Sequence, residues 1–326
     1  MNNYNWLQQK LHKLVLSSQY MRRLSFDIEN SFIPSTYMTQ KSDNHIFISG
    51  LARSGTTILL NALYESDQFA SLTYQDMPFV LAPNLWSKSP LKNVNKNAGR
   101  IERAHGDGIK VSLDSPEALE EVFWITFNQK EDEIFEKFKT YINLINQKYK
   151  KNRYLSKNNQ NIKRIELLSN SFPHSNILIP FRRPLQHAYS LLTQHKKFLN
   201  YSVNDKFISD YMKLTGHTEF GPAYKPICKE KIKFTNYLDI NHWIEQWYLV
   251  YGSAFDNFKN TNNVSFICYE NLCKSNEYWL KIQEMLNINN TTDFAFKDSQ
   301  KKIEIDFDQT IYNKAKMLYR QLIETI

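Results

Sequence analysis

The 326-residue chain is poor in cysteine, in glycine and proline, and in long apolar runs. Its three cysteines, Cys228, Cys268 and Cys273, are odd in number and lack the paired spacing of a zinc site. No closed disulfide framework can be drawn from them, and a reducing, cytoplasmic setting is expected. With 8 glycines and 10 prolines there is little linker to separate domains, and no solenoid-type period recurs. No apolar run approaches the roughly 20 residues that a membrane helix needs. The opening Met1-Asn2-Asn3-Tyr4-Asn5-Trp6 also lacks the charged-then-apolar order of a signal peptide.

What is present is core material and positive charge. Hydrophobic residues make up 42% and aromatics 14%, which excludes a disordered chain. The net charge of +8 favours an anionic partner: a polyphosphorylated nucleotide, an acidic glycan, nucleic acid or a membrane surface. No nucleic-acid reader motif is present, so no specific nucleic-acid partner is expected. The run Lys148-Tyr149-Lys150-Lys151-Asn152 reads as solvated surface.

Residues 4–24 approximate a helical period with a basic outer face. Together with the irregular, Pro34-containing stretch that follows, they read as an N-terminal arm over 1–44. It is either a helix packed on the main unit or a peripheral membrane contact. From 45 onward strands alternate with helices. His45–Ser49 is strand-like and Thr57–Leu63 helical, while Ser115-Pro116-Glu117 opens a capped helix. Ile177–Phe181 is a second strand, with a helix from about Leu185. A helix over 239–259 precedes the strand Val264–Cys268. The expected fold is α/β: one P-loop-type parallel sheet over 45–326, helices on both faces, with helical insertions.

The informative segment is Gly50-Leu51-Ala52-Arg53-Ser54-Gly55-Thr56-Thr57, set between a strand and a helix. Such a turn aims backbone N–H groups and a helix N-terminus at an anion. Gly50 and Gly55 have P-loop spacing, but Thr56 stands where an NTPase carries its lysine. The charge comes earlier, from Arg53. These residues resemble the first cofactor motif of the PAPS-dependent sulfotransferases (PAPS being 3′-phosphoadenosine-5′-phosphosulfate). The Arg-Ser-Gly-Thr-Thr version is similar to the protein-tyrosine and bacterial carbohydrate branch. The resemblance implies that Arg53, Ser54, Gly55, Thr56 and Thr57 hold the 5′-phosphosulfate, with Arg53 facing the oxygen where charge grows.

A second motif agrees. Arg182 follows the strand Ile177–Phe181, and Ser190 lies eight residues later on the next helix. In the family an Arg and a Ser so placed bind the 3′-phosphate, the Arg as a charged fork. Arg183 occupies a position often acidic in relatives, which leaves the division of labour between the arginines open. Tyr154–Asn159 resembles the family's Asn-Lys-x-Pro segment without its proline, which makes Lys157 the residue that steadies the transferring group. Cys268-Tyr269-Glu270-Asn271-Leu272 resembles a later Tyr-Glu-x-Leu segment, placing Tyr269 near the adenosine. The likeness runs from about residue 45 to 288 and implies PAPS as donor, PAP as product and no metal.

Transfer to a hydroxyl needs a base opposite the donor. By resemblance that base is a carboxylate twenty to thirty residues beyond the loop, which selects Asp76; His105 is the rival. Asp114 and Glu117 either complement a helix dipole or contact acceptor hydroxyls. Trp86, Trp124, Trp243 and Trp247 offer stacking faces for a sugar, although the one-turn spacing of the last two favours the core. The expected acceptor is a glycan or glycolipid. A P-loop kinase or NTPase, and a non-catalytic nucleotide- or polyanion-binding protein, are the competing readings.

Overall fold

The computed structural model describes residues 6–32, 43–90, 101–102, 110–127, 131–204, 206–289, 292–298 and 302–324. Two helices open it, α1 (Trp6–Ser17) and α2 (Gln19–Ser31). Ser18 divides them: its hydroxyl accepts from the Met21 N–H at 3.2 Å and caps α2. Both helices sit on the body of the protein. Leu16 and Phe26 are part of the main core, and Arg22 donates to the Thr126 hydroxyl at 2.7 Å. Glu29 accepts from the N–H groups of Asn84 and Leu85.

β1 (Ile46–Ile48), α3 (Thr56–Tyr64), β2 (Phe69–Ala70) and α4 (Pro83–Lys88) follow. A small antiparallel pair, β3 (Ile101–Glu102) and β4 (Lys110–Val111), precedes α5 (Glu121–Thr126) and α6 (Glu131–Tyr149). Then come β5 (Arg153–Lys157), α7 (Ile165–Ser171), β6 (Asn176–Phe181), α8 (Pro184–Asn204) and α9 (Lys206–Leu214). α10 (Ile240–Phe258), β7 (Val264–Cys268), α11 (Tyr269–Lys274), α12 (Asn276–Met285) and α13 (Gln309–Glu324) complete the chain.

The main sheet has the order β2-β5-β1-β6-β7, and every neighbouring pair is parallel. Its strands read as nearly unbroken apolar runs because both faces are covered. Alternation still sorts them. Ile46, Ile48, Leu155, Leu178 and Ile267 face one core, with Leu59, Leu63 and Trp279. Phe47, Tyr154, Ile177, Ile179 and Phe266 face the other, with Phe138, Leu191 and Trp247. Parallel strands deliver their following loops to one edge. Ile48 lies level with Lys157 and Leu178, so the segments after β1, β5 and β6 emerge together. In open parallel sheets that carboxyl edge is where ligands bind.

Three expectations change. The segment from Ser115 is extended rather than helical: Pro116 bridges Thr73, the Glu117 N–H bonds the Leu72 carbonyl, and the helix starts only at Glu121. Backbone pairing outweighs the Ser-Pro-Glu helix signal, and the Ser115 hydroxyl instead accepts from the Ser112 N–H at 2.9 Å. The strand β5 and the long α6 were not anticipated. Lys148, expected on the surface, closes α6 with its side chain only 8% exposed, paired with Asp76.

Candidate active site

The glycine-containing loop joins β1 to α3 at the carboxyl edge. Arg53 and Gly55 both have left-handed backbones, with φ of +71° and +99°. Gly55 is required twice over: besides its φ, a Cβ there would fall 2.3 Å from the Tyr269 ring. Ser54, Thr56 and Thr57 are buried. Tyr269, first residue of α11, therefore forms a wall of the loop, and its hydroxyl donates to the Lys297 carbonyl at 3.1 Å.

The arginines and the serine converge on this wall. Arg53 Nε donates to Ser190 Oγ at 3.2 Å, and Arg182 donates to the Arg53 carbonyl at 3.2 Å. The Arg182 guanidinium also lies 5.1 Å from the Tyr269 ring centroid, in cation–π range. Its Nε is buried without a hydrogen-bond partner. The structure also separates the tandem arginines. Arg183 pairs with Asp298 at 2.5 Å and with Glu270 at 3.4 Å, and its N–H bonds Glu270 as well. Arg183 fastens the 292–298 segment to the end of the sheet, and Arg182 faces the loop.

His187, one turn into α8, supports the loop from behind. Fully buried, it donates from Nε2 to the Ala52 carbonyl at 2.7 Å. Burial, aided by the charges of Arg182 and Arg53, pushes its pKa from 6.5 down to about 3, so the ring stays neutral. An unfolded chain would take up a proton as pH falls below about 6.5, and the folded one would not until about 3. Stability should therefore drop by several kcal/mol as pH falls between those values, because each tenfold difference in proton affinity is worth about 1.4 kcal/mol. Denaturant midpoints measured from pH 7.5 to 4 should fall less steeply in His187→Gln, which keeps a donor but cannot titrate. Equal slopes would show that other groups carry the acid sensitivity.

Lys157 ends β5 and is 7% exposed. The turn after it is braced by a polar network that no sequence motif announced. Glu120 accepts from Trp124 Nε1 at 2.9 Å, Asn161 Nδ2 at 2.7 Å and the Tyr154 hydroxyl at 3.1 Å. Glu121 accepts from both terminal nitrogens of Arg164 at 2.8 Å and from Asn158 at 2.8 Å. These buried acids are satisfied, and the network they anchor fixes the Lys157 turn. The one local sign was the polar run Asn158-Asn159-Gln160-Asn161 directly after a strand. On the loop side the Thr56 hydroxyl donates to Asn159 Oδ1 at 3.4 Å.

Other expected residues lie elsewhere. Asp76 is fully buried, and none of its hydrogen-bond or ion-pair partners belongs to the loop. Oδ2 accepts from the Thr73 N–H at 2.8 Å and from the Tyr149 hydroxyl at 2.6 Å, while Oδ1 pairs with Lys148. That geometry gives the carboxylate an internal ion pair and a capping task. Glu117 accepts from the Tyr74 hydroxyl and Asp114 from Gln75, so both acids brace the 74–75 turn. His105 lies outside the described residues. Trp86, Trp124, Trp243 and Trp247 are all buried and offer no stacking platform. Among the described residues no group of three or more His, Cys, Asp or Glu is arranged to hold a metal, and no helix is long and apolar enough to cross a membrane.

The sequence has no match among curated proteins. The crystal structure of a sulfotransferase from Mycobacterium tuberculosis is similar, with a TM-score of 0.53 and 11% identity, covering 98% of this chain and 87% of that one. A sulfotransferase from Mycobacterium avium matches with a TM-score of 0.49 and 12% identity, covering 98% and 79%. A sequence model described as the sulfotransferase family matches residues 45–225, a span from β1 through the loop, Lys157 and Arg182 to beyond α9. That match covers more than half of the chain, and the protein belongs to the sulfotransferase family of transferase enzymes.

Proposed function

We propose that this enzyme takes its sulfuryl group from PAPS and passes it to a hydroxyl of a glycan or glycolipid. One observation carries the donor assignment. Arg53, Gly55, Arg182, Ser190 and Tyr269 meet at the carboxyl edge, and one guanidinium N–H there is buried and unpartnered. A buried donor without a partner is costly unless a ligand satisfies it. The donor set is cationic, N–H and hydroxyl throughout, which suits a ligand with phosphate at two ends. The residues therefore fit the group.

In this reading the loop N–H groups and Arg53 hold the phosphosulfate end, and Arg182 with Ser190 holds the 3′-phosphate. Tyr269 gives the adenosine a ring to lie against. Bound PAPS supplies an activated sulfuryl group whose release leaves negative charge on a phosphate oxygen. Arg53 and Lys157 stand ready to stabilise that charge without reorganisation, the property that makes fixed donors effective. For the acceptor, the exposed Lys163, Lys225, Lys229 and Lys231 suit a polar, acidic glycan. The three free cysteines agree with a reducing, cytoplasmic setting.

Thermal shift tests the donor directly. PAP at 100 times its Kd adds about 2.7 kcal/mol, roughly 4 °C in Tm for a chain of this length. The shift should persist in EDTA, and ATP with Mg²⁺ should give much less. An ATP shift that needs Mg²⁺, with none from PAP, would replace this reading by a kinase. A mass-resolved screen of acidic and neutral glycans then identifies the acceptor class.

A further inference from the structure

The geometry points to His217, oriented by Glu219, as the group that takes the proton from the acceptor hydroxyl. This inference rests on the sulfuryl-transfer reading above.

Both residues lie in the connection between α9 and α10, and three contacts hold that connection against α5 and the turn after β5. At Gly216 the helix ends in a left-handed turn, with φ +78° and the His217 N–H bonded to the Met212 carbonyl at 2.9 Å. Gly216 sits so close to α5 that an added Cβ would come 2.6 Å from Glu121 Cγ. Beyond it, Gln160 donates to the Thr218 hydroxyl at 3.0 Å and Asn159 donates to Glu219 Oε1 at 3.2 Å. Asn159 is the residue that accepts from Thr56 of the phosphate loop. A continuous chain of contacts thus runs from Thr56 through Asn159 to Glu219, and His217 Nδ1 lies 3.5 Å from Glu219 Oε2.

This arrangement has the parts of a base. Burial would raise the pKa of Glu219, but the nearby His217 and then the charge of Lys157 hold it low, and Oε2, 3.5 Å from Nδ1, has no hydrogen-bond partner among the described residues. Glu219 is therefore an anion at any working pH. A carboxylate on Nδ1 sets the tautomer and orientation of an imidazole and leaves Nε2 as the proton acceptor. Among the described residues nothing else engages the His217 ring, and its side chain is 16% exposed, within reach of a ligand. The surrounding charges are Lys157 of β5, Lys163 and Arg164 of the turn after it, Glu121 of α5 and Glu219 itself.

The step balances. The acceptor oxygen forms the new O–S bond as its proton passes to Nε2, and the S–O bond to the donor phosphate breaks. The bonding pair leaves on the phosphate oxygen, where Arg53 and Lys157 stabilise it. Glu219 touches neither reactant and acts as a positioning residue.

The test uses the full chain, PAP and a sulfated-product assay. In His217→Gln the Kd for PAP should stay within about twofold, while kcat falls by about 10²–10⁴-fold, the usual worth of proton-transfer catalysis. Added imidazole should restore part of the turnover of His217→Ala. In Glu219→Gln kcat should fall while the Kd for PAP stays within about twofold, because the ring loses the group that orients it. At fixed pH the ring ¹⁵N shifts that report the His217 tautomer in PAP-saturated protein should change as well, independently of turnover. His217→Gln with PAP binding intact, turnover within a few-fold of the parent and an unchanged pH profile would overturn the assignment. Unaltered His217 ring ¹⁵N shifts in Glu219→Gln would overturn the pairing. Failure of the unmodified protein to bind PAP would instead sink the sulfuryl-transfer reading on which all of this stands.

Discussion

Alanine at Arg182 should weaken PAP by about 2–4 kcal/mol, roughly a 30- to 1,000-fold rise in Kd, and leave adenosine 5′-phosphosulfate nearly untouched. The expectation follows from how the two arginines divide. Arg183 is matched by Glu270 and Asp298, so its charge is already neutralised within the protein. Arg182 donates to a backbone carbonyl, lies against Tyr269 and keeps a buried Nε–H without a partner; the Arg183 Nε–H also lacks a hydrogen bond but lies 3.4 Å from Glu270. An anion at this point gains a charge-assisted contact that no other residue of the pair can replace, and truncation removes all of it. Arg182→Lys should fall between, since it keeps the charge and loses the fork. Calorimetry with both nucleotides decides the matter. The same loss for each would mean that Arg182 acts by holding the Arg53 carbonyl, and so by shaping the loop.

How much of this was legible follows the range of the interactions. The loop was legible because its chemistry is local: a turn of left-handed residues ending in a helix N-terminus demands glycine and small hydroxyl residues in fixed order. Ile177–Phe181 and Val264–Cys268 were legible because a strand buried on both faces must be apolar throughout. β5 was hidden for the opposite reason. Arg-Tyr-Leu-Ser-Lys begins and ends in charges, and lies within Lys- and Asn-rich sequence. Those charges have uses only the fold reveals, Arg153 bonding the carbonyls of Asn44 and Leu286 and Lys157 acting on the buried Glu219 carboxylate.

The second layer of the site was out of reach because its contacts cross long stretches of chain. Glu219 meets Asn159 across 60 residues, and Glu121 meets Arg164 across 43. Read alone, His217-Thr218-Glu219 is an ordinary polar turn. The Ser115 segment shows the converse error, a correct local signal overridden when Leu72 and Thr73 offer backbone partners. Local chemistry shapes the loop, and tertiary chemistry decides what surrounds it.

Asp76 is where those two kinds of information conflict most sharply, and Asp76→Asn should cost about 3–5 kcal/mol of stability, the usual result of leaving one buried charge alone. An asparagine carbonyl can still accept from the Thr73 N–H and Tyr149, but its NH₂ cannot neutralise Lys148. Burial already lowers the Lys148 pKa from 10.5 to about 8, opposed by the charge of Glu29. Removing Asp76 should lower it further. A lysine whose folded pKa lies below its unfolded value penalises folding at low pH, and the penalty lifts as pH rises through the folded pKa toward 10.5. The deficit of Asp76→Asn should therefore be full near pH 6 and shrink toward pH 10. Asp76→Asn combined with Lys148→Met should recover much of the loss, since removing both charges spares the orphaned one. PAP affinity and kcat should change little under conditions where the variant is folded. Urea denaturation across that pH range, with turnover measured on the same samples, separates the two roles. A variant within about 1 kcal/mol of the parent whose kcat has fallen a hundredfold or more would return the base to Asp76 and take it from His217.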